Sequence, residues 1–187
     1  MENDLITGID EAGRGCLAGP VVVAAVTWPQ GLALPVADSK TLTALQREIL
    51  FEKIIKHALA YSYIAVDNQY IDQVNIRQAT LYGMSRSYHA LPIQGQTLII
   101  DGIDKPLDLS NAQPIIKADQ TIPAVSAASI IAKVVRDRMM KWYHTMYPLY
   151  AFDEHKGYGT VQHRAAIAQH GPCKLHRLSY TLLAQPK

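Results

Sequence analysis

The feature that most constrains the fold of this chain is a glycine-rich turn between two apolar runs near the N-terminus. The first run, residues 5–10, ends at the adjacent carboxylates Asp10 and Glu11, and the second run covers residues 21–28. Both runs are typical of β-strands, so the segment Gly13-Arg14-Gly15 is expected to join two strands. Glycines let backbone N–H groups approach a phosphate or a sugar, an arginine fork can grip a phosphate, and carboxylates hold hard divalent cations. The combination indicates an enzyme that acts on a phosphodiester.

Length and composition favour one globular domain. The chain has 187 residues and 49% hydrophobic content, so we expect a single domain over residues 1–187 that includes a C-terminal helical segment. The net charge of +2 excludes only a strongly acidic surface. Cys16 and Cys173 form no CxxC motif, which indicates reduced thiols. The sequence shows no signal-peptide pattern and no stretch of transmembrane length, so we expect a cytoplasmic monomer without a membrane partner.

The hydrophobic patterns predict an α/β fold. A capping box at Thr43 and Gln46 opens a predicted helix, and Leu45, Ile49 and Ile54 are expected on its buried face. Strands are otherwise predicted at 61–66, 97–102 and 114–117, and helices at 44–60, 69–90, 124–146 and 160–170. Strands that come first, followed by strands separated by helices, predict a mixed β-sheet flanked by α-helices.

Four carboxylates follow apolar runs in the same local pattern. Asp10 and Glu11 follow residues 5–9, Asp101 follows Leu98-Ile99-Ile100, and Asp119 follows residues 115–118. If neighbouring strands bring these groups together, their like charges require cations, and Mg²⁺ or Mn²⁺ is the natural occupant of an oxygen-lined site.

A simpler interpretation exists for each carboxylate taken alone. Acidic residues at strand ends are often turn formers or helix caps. Adjacent residues on a regular strand also point to opposite faces, so Asp10 and Glu11 require a local twist to face one site. The recurrence of the pattern favours the metal interpretation.

The glycine turn differs from known nucleotide-binding motifs. Gly13, Gly15 and Gly19 have the spacing G-x-G-x-x-x-G, one residue too long for a dinucleotide fingerprint, and a predicted strand follows where that motif requires a helix. No Walker A sequence occurs.

The motifs of this sequence resemble those of the ribonuclease HII family. They occur in the family's order and cover nearly the whole chain: Gly8-Ile9-Asp10-Glu11-Ala12-Gly13-Arg14-Gly15, Asp38-Ser39-Lys40, Ile100-Asp101-Gly102, Lys117-Ala118-Asp119, residues 126–137, His155-Lys156-Gly157-Tyr158-Gly159-Thr160 with His163, and residues 171–180. Two departures are Cys16, where proline is usual, and Ala118, where bacterial relatives usually have glycine. Neither departure removes a carboxylate.

The resemblance implies a ribonuclease H-like mixed sheet with helices and a two-metal endoribonuclease. Its substrates would be RNA/DNA hybrids and duplex DNA with embedded ribonucleotides, cut to leave a 3′-hydroxyl and a 5′-phosphate. The metal-binding catalytic residues would be Asp10, Glu11, Asp101 and Asp119. Gly13, Arg14 and Gly15 would read the ribonucleotide through backbone contacts to its 2′-hydroxyl, and Tyr158 would stack beneath the sugar on the 3′ side.

The remaining basic residues are candidates for phosphate contact. They include Lys40, Lys156 and the basic residues after position 170, each of which taken alone fits a solvated surface charge better, together with His163 and His176. We also expect added bulk at Gly13 or Gly15 to impair recognition more than folding, whereas an ordinary tight turn would tolerate it without loss of selectivity.

Three other functions remain open from the residues alone. A different nuclease or phosphotransferase could share the two-metal design. A catalytically silent nucleic-acid binder is disfavoured, since clustered carboxylates would repel phosphates. A glycosidase acid pair at Asp10 and Glu11 would leave the other motifs unexplained.

Overall fold

The computed structural model describes residues 5–29, 31–32 and 42–183. Its strands and helices follow the predicted order, with small differences in their bounds and one short helix, Phe152–His155, that was not predicted. In chain order they are β1 (Ile6–Ala12), β2 (Val21–Trp28), α1 (Ala44–His57), β3 (Ala60–Val66), α2 (Asn68–His89), β4 (Thr97–Asp101), β5 (Gln113–Ile115), α3 (Pro123–Met146), α4 (Phe152–His155) and α5 (Val161–His170). Short 3₁₀ turns lie at Ala118–Gln120 and Pro148–Tyr150.

The strands form one mixed sheet in the order β3-β2-β1-β4-β5. Strand β2 pairs antiparallel with both β1 and β3, whereas β4 pairs parallel with β1 and with β5. The predicted mixed sheet with flanking helices is therefore confirmed. Because β1 and β4 are parallel, their carboxyl ends lie at the same edge of the sheet.

Helices cover both faces of the sheet. On one face, α3 and α1 pack against Val22, Ala24 and Val26 of β2. On the other face, Val23 and Ala25 pack with Met84 and Tyr88 of α2. Every residue of β2 is buried, as expected for a central strand that is covered on both sides.

Helix α3 lies against β1 without intervening side chains. A Cβ added at Gly8 would lie 2.3 Å from the backbone of Ala124 and Val125, so only glycine permits this approach. The close packing brings the first turns of α3 beside the end of β1, where the acidic residues lie.

The predicted helix caps are confirmed, but the predicted buried face of α1 is wrong in part. Thr43 and Gln46 form the capping box, and the Thr160 side chain accepts a hydrogen bond from the His163 amide. The buried residues of α1 are Leu50, Phe51 and Ile54, whereas Leu45 and Ile49 are exposed. Helix α1 packs against the core through the face that carries Leu50, Phe51 and Ile54, so Leu45 and Ile49 lie on the side that reaches solvent.

Strand β5 also differs from its predicted bounds, residues 114–117. It ends at Ile115, and the backbone then reverses at Lys117, whose φ of 58° is in the left-handed region. Across the described ranges, no helix is long and apolar enough to cross a membrane.

Candidate active site

Two predicted carboxylates meet at the carboxyl edge of the central parallel strands. The pairing of β1 with β4 places Ile9 opposite Ile100, so Asp10 and Asp101 are the next residues on adjacent strands. Asp10 is only 6% exposed and also accepts a hydrogen bond from the Ser129 side chain of α3. The sheet register therefore brings together two residues that are 91 positions apart in the chain.

Glu11 extends this pair toward the glycine turn. Its amide donates to Asp10 Oδ1 at 2.7 Å, and its Oε1 accepts from Arg14 Nη1 at 3.1 Å. Its Oε2 is buried and has no hydrogen-bond partner within the described part of the chain. Burying a carboxylate oxygen without a hydrogen-bond donor costs free energy unless a cation or a donor from another molecule reaches it.

Asp119 is positioned by the reversal that follows β5. The Ala118 amide donates to Asp101 Oδ1 at 2.8 Å, which fixes the 3₁₀ turn against the end of β4. The Ser126 hydroxyl of α3 donates to the Asp119 carbonyl, and Asp119 is 2% exposed. Asp119 thus lies in the turn that is bonded directly to Asp101.

The charges of Asp10, Glu11 and Asp101 act on one another. Burial raises the pKa of Asp10 well above its usual value, and the negative charges of Glu11 and Asp101 raise it further. Burial also raises the pKa of Glu11, with Arg14 opposing and Asp101 adding to the shift. The negative charge of Asp101 therefore disfavours ionisation of both Asp10 and Glu11.

The donor chemistry fits a hard divalent cation held in an open site. All the acidic groups offer oxygen ligands, and Glu11 Oε2 is buried without a hydrogen-bond donor from any described residue. In the ranges the structure describes, no three His, Cys, Asp or Glu side chains are gathered closely enough to enclose an ion. Mg²⁺ sites commonly use one or two carboxylates and complete their coordination with waters and substrate phosphates, so an open arrangement suits this chemistry.

The glycine turn adjoins these carboxylates. Gly13 is buried with a φ of 99°, and a Cβ at this position would lie 2.0 Å from Arg136 Nε. The expectation that bulk at Gly13 affects recognition more than folding is therefore wrong, because the added atom would displace a buried guanidinium. Gly15 is exposed and has no atom within 4 Å of a built Cβ, so the expectation stands there.

Tyr158 lies across a small cavity from the turn. The cavity measures about 270 Å³, and its lining includes Glu11, Gly13, Ser129 and Tyr158. The ring is 43% exposed, with Lys133 Nζ at 5.8 Å from its centroid. An aromatic face that is partly exposed beside a cation is suited to stack on a nucleotide.

A second cavity of about 420 Å³ continues from Tyr158 along α3. Its lining combines the basic residues Arg47, Lys133, Lys141 and Lys156 with the acidic residues Glu48, Asp137 and Glu154, and Lys133 pairs with Asp137 at 2.7 Å. Burial lowers the pKa of Lys156, and the nearby charges of Lys141 and Lys133 contribute to the same shift. Clustered cations in a groove beside the carboxylates can bind a phosphate backbone.

Other predicted contacts lie elsewhere or outside the described residues. Lys40 is not among the described residues. The structure buries His163, His176 and Arg177, which were candidates for phosphate contact, to exposures of 0%, 1% and 0%. Their interpretation as surface groups is wrong, since all three form hydrogen bonds inside the fold.

Sequence reasoning missed two residues that lie at the site. Ser129 bonds to Asp10, and its only signal was a polar residue within the alanine-rich run of α3. Arg47 lines both cavities, and no sequence signal separated it from other surface arginines.

Comparison with solved structures identifies the fold as ribonuclease H-like and the class of protein as a nuclease. The structure resembles ribonuclease H2 from Pyrococcus horikoshii with a TM-score of 0.79 and 26% identity, covering 95% of this chain and 94% of that chain. It also resembles ribonuclease HII from Archaeoglobus fulgidus, solved in complex with PCNA, with a TM-score of 0.80 and 27% identity over 98% of each chain.

The sequence comparisons define the family. The family model for ribonuclease HII matches residues 7–183. Ribonuclease HII from Burkholderia pseudomallei is 46% identical over 178 residues, which cover 95% of this chain and 83% of that protein. The chain belongs to the ribonuclease HII family, and the predicted resemblance is confirmed.

Proposed function

We propose that this enzyme, whose family membership implies endoribonuclease activity on RNA/DNA hybrids, also incises duplex DNA on the 5′ side of single embedded ribonucleotides. The products would be a 3′-hydroxyl and a 5′-phosphate, as the removal of misplaced ribonucleotides from DNA requires. The proposed enzyme is a single-domain monomer of the cytoplasm.

One observation carries the proposal. The four predicted carboxylates, Asp10, Glu11, Asp101 and Asp119, are called the carboxylate cluster. The hydrogen bond of 3.1 Å between Arg14 Nη1 and Glu11 Oε1 joins the glycine turn to this cluster. The turn that we propose to contact the ribose 2′-hydroxyl thus lies next to the carboxylates that we propose to hold the metal ions. This adjacency is what a cut at a ribonucleotide requires.

Asp10, Glu11, Asp101 and Asp119 would hold two Mg²⁺ or Mn²⁺ ions. When bound, the ions would activate a water for attack on phosphorus and offset the charge on the leaving 3′ oxygen. Ser129 orients Asp10 through its hydrogen bond, and the Ala118 amide orients Asp101. These contacts fix the carboxylates before substrate arrives.

The substrate would lie across the turn and the basic groove. Gly13, Arg14 and Gly15 would contact the 2′-hydroxyl, and Tyr158 would stack on the sugar that follows it. Lys133, Lys141 and Lys156 would bind phosphates of the flanking duplex in the second cavity. Contacts to phosphate position the duplex, whereas contacts to the 2′-hydroxyl select the site of cleavage.

The direct test uses a DNA duplex with one ribonucleotide. We expect one incision, on the 5′ side of the ribonucleotide, in Mg²⁺ or Mn²⁺ and none with a chelator. An all-DNA duplex of the same sequence is expected to remain intact. Cleavage of both duplexes, or of neither, contradicts the proposal, and activity with the chelator contradicts the role of the metals.

Gly15→Ala tests recognition by the turn. Because Gly15 is exposed and its Cβ position is open, the variant should fold with an unchanged melting temperature. The new methyl group stands where the sugar must approach, so kcat/KM for the single-ribonucleotide duplex should fall about 10-fold, the loss of roughly one hydrogen bond. Unchanged kcat/KM in the folded variant would support an ordinary tight turn.

A further inference from the structure

Arg177 and Tyr180, in the segment after α5, form hydrogen bonds to the backbone of the glycine turn. Arg177 is fully buried, and its guanidinium donates to the carbonyls of Gly13 at 2.7 Å, Arg14 at 2.8 Å and Gly19 at 3.0 Å. The hydroxyl of Tyr180 donates to the same Arg14 carbonyl at 2.8 Å. Arg177 and Tyr180 are here called the C-terminal brace.

The burial of Arg177 is expensive and therefore calls for an explanation. A buried cation is tolerated only when its donors are satisfied. Arg177 Nε also donates to the Gly19 carbonyl at 3.1 Å, and Nη1 donates to the Tyr180 oxygen at 3.2 Å. Within the described ranges Arg177 forms no ion pair with a carboxylate, so its donors are used on the turn and on the brace itself.

The position of the carbonyls fixes the direction of the amides. In a trans peptide the C=O and the following N–H lie in one plane and point in opposite directions. The Gly13 and Arg14 carbonyls point inward to Arg177. The amides of Arg14 and Gly15 therefore point outward, on the side where these two residues are exposed.

The neighbouring His176 fixes the position of the brace. The Cys173 amide donates to His176 Nδ1 at 2.8 Å, so His176 carries its proton on Nε2 and donates to His163 Nε2 at 3.1 Å. His163 Nδ1–H in turn donates to the Tyr158 carbonyl at 2.9 Å. The segment that holds the turn is thus bonded through buried rings to the backbone of Tyr158.

We propose that Arg177 is a positioning residue for ribonucleotide selection, with Tyr180 as its helper. By holding two successive carbonyls inward, the brace presents the Arg14 and Gly15 amides as a preformed receptor for the ribose 2′-hydroxyl. This inference rests on the proposed function, since it assigns the turn to ribose recognition. Arg177 itself contacts no substrate.

Arg177→Lys is the first test because it keeps the positive charge and removes the planar fork. One ammonium cannot reach the three carbonyls with the same geometry. In Mn²⁺, we expect kcat on the single-ribonucleotide duplex to fall about 10- to 100-fold, the loss of one charge-assisted hydrogen bond or more. The affinity for an all-DNA duplex of the same sequence, which depends on phosphate contacts, should stay within about 2-fold.

Arg164→Lys is the matched control. Arg164 Nη1 also donates to carbonyls of the C-terminal segment, those of Thr181 at 3.0 Å and Leu182 at 2.5 Å, but not to the turn. Its kcat should stay within about 3-fold of wild type. Equal losses in the two variants, or a parallel loss of incision and all-DNA affinity in Arg177→Lys, would overturn the inference.

Tyr180→Phe keeps the test decisive if Arg177→Lys does not fold. It removes one hydroxyl from a half-buried ring, and we expect kcat to fall about 3- to 10-fold with unchanged all-DNA affinity. Wild-type kcat in Tyr180→Phe would overturn the inference while leaving the proposed function intact. Failure of the wild-type enzyme to incise the substrate would overturn both.

Discussion

Asp10→Asn is expected to lower the rate of incision at a single ribonucleotide by about 1,000-fold or more. Asp10 is buried, and the negative charges of Glu11 and Asp101 act on it. An amide keeps its shape but loses the charge that holds a divalent cation. Losing roughly 4 kcal/mol of transition-state stabilisation corresponds to this factor. The rate is measured on the single-ribonucleotide duplex in Mn²⁺ and in Mg²⁺.

The same variant supplies its own folding control. Since the folded state raises the pKa of Asp10, charging this group at neutral pH opposes folding, and the amide removes the penalty. With a chelator present, Asp10→Asn should melt above wild type at pH 7. The gain should shrink as the pH falls and disappear below the usual aspartate pKa of about 4, where the wild-type carboxyl is protonated in both states.

Asp108→Asn is the matched control for the activity measurement. Asp108 is half exposed and pairs with His89 on the protein surface. Wild-type activity is expected. If Asp10→Asn retained activity near wild type, the assignment of the carboxylate cluster to metal binding would be wrong.

Gly13→Ala is expected to cost about 2–5 kcal/mol of folding free energy. The added methyl carbon would lie 2.0 Å from Arg136 Nε and 2.5 Å from its Cδ, and the φ of 99° disfavours any side chain. Overpacking contributes about 1–3 kcal/mol and the left-handed backbone about 1–2 kcal/mol. In a domain of this size the melting temperature should fall by about 10 °C.

Alanine substitutions at two other glycines distinguish the cost of overpacking from the cost of the left-handed backbone. Gly171→Ala introduces a side chain at a φ of 73° with no atom within 4 Å, so it reports the backbone cost alone. Gly15→Ala meets no atom either and should leave the melting temperature unchanged. A Gly13→Ala loss no larger than that of Gly171→Ala would show that Arg136 is not fixed against the turn.

The parts of the site that depend on strand pattern could be predicted from the sequence. Asp10 and Asp101 follow apolar runs, and the parallel pairing of β1 with β4 places them side by side. The bounds of β5 were less predictable, because they depend on the backbone reversal at Lys117 rather than on hydrophobicity. The exposure of Leu45 likewise depends on where α1 crosses α3, a tertiary contact that helical periodicity cannot fix.

Buried arginines are the residues of this site region that sequence patterns predict least well. Arginine is almost always at the surface, so a basic residue near position 177 reads as a solvated charge or a phosphate ligand. Arg136 instead donates to the carbonyls of Pro20, Lys156 and Ala18. Such partners are backbone groups, and backbone groups leave no residue-type signal in a sequence.

Because Arg177 bonds to residues far earlier in the chain, the turn can be held by it only late in synthesis. The bonds from Arg177 to the turn join residues that are 163 and 164 positions apart. At 5–20 residues per second, the ribosome needs roughly 8–33 s to add that length of chain. During this interval the residues of β1 and its turn have been synthesised without their guanidinium anchor, so the proposed ribose receptor can be held in place only once residue 177 has been added.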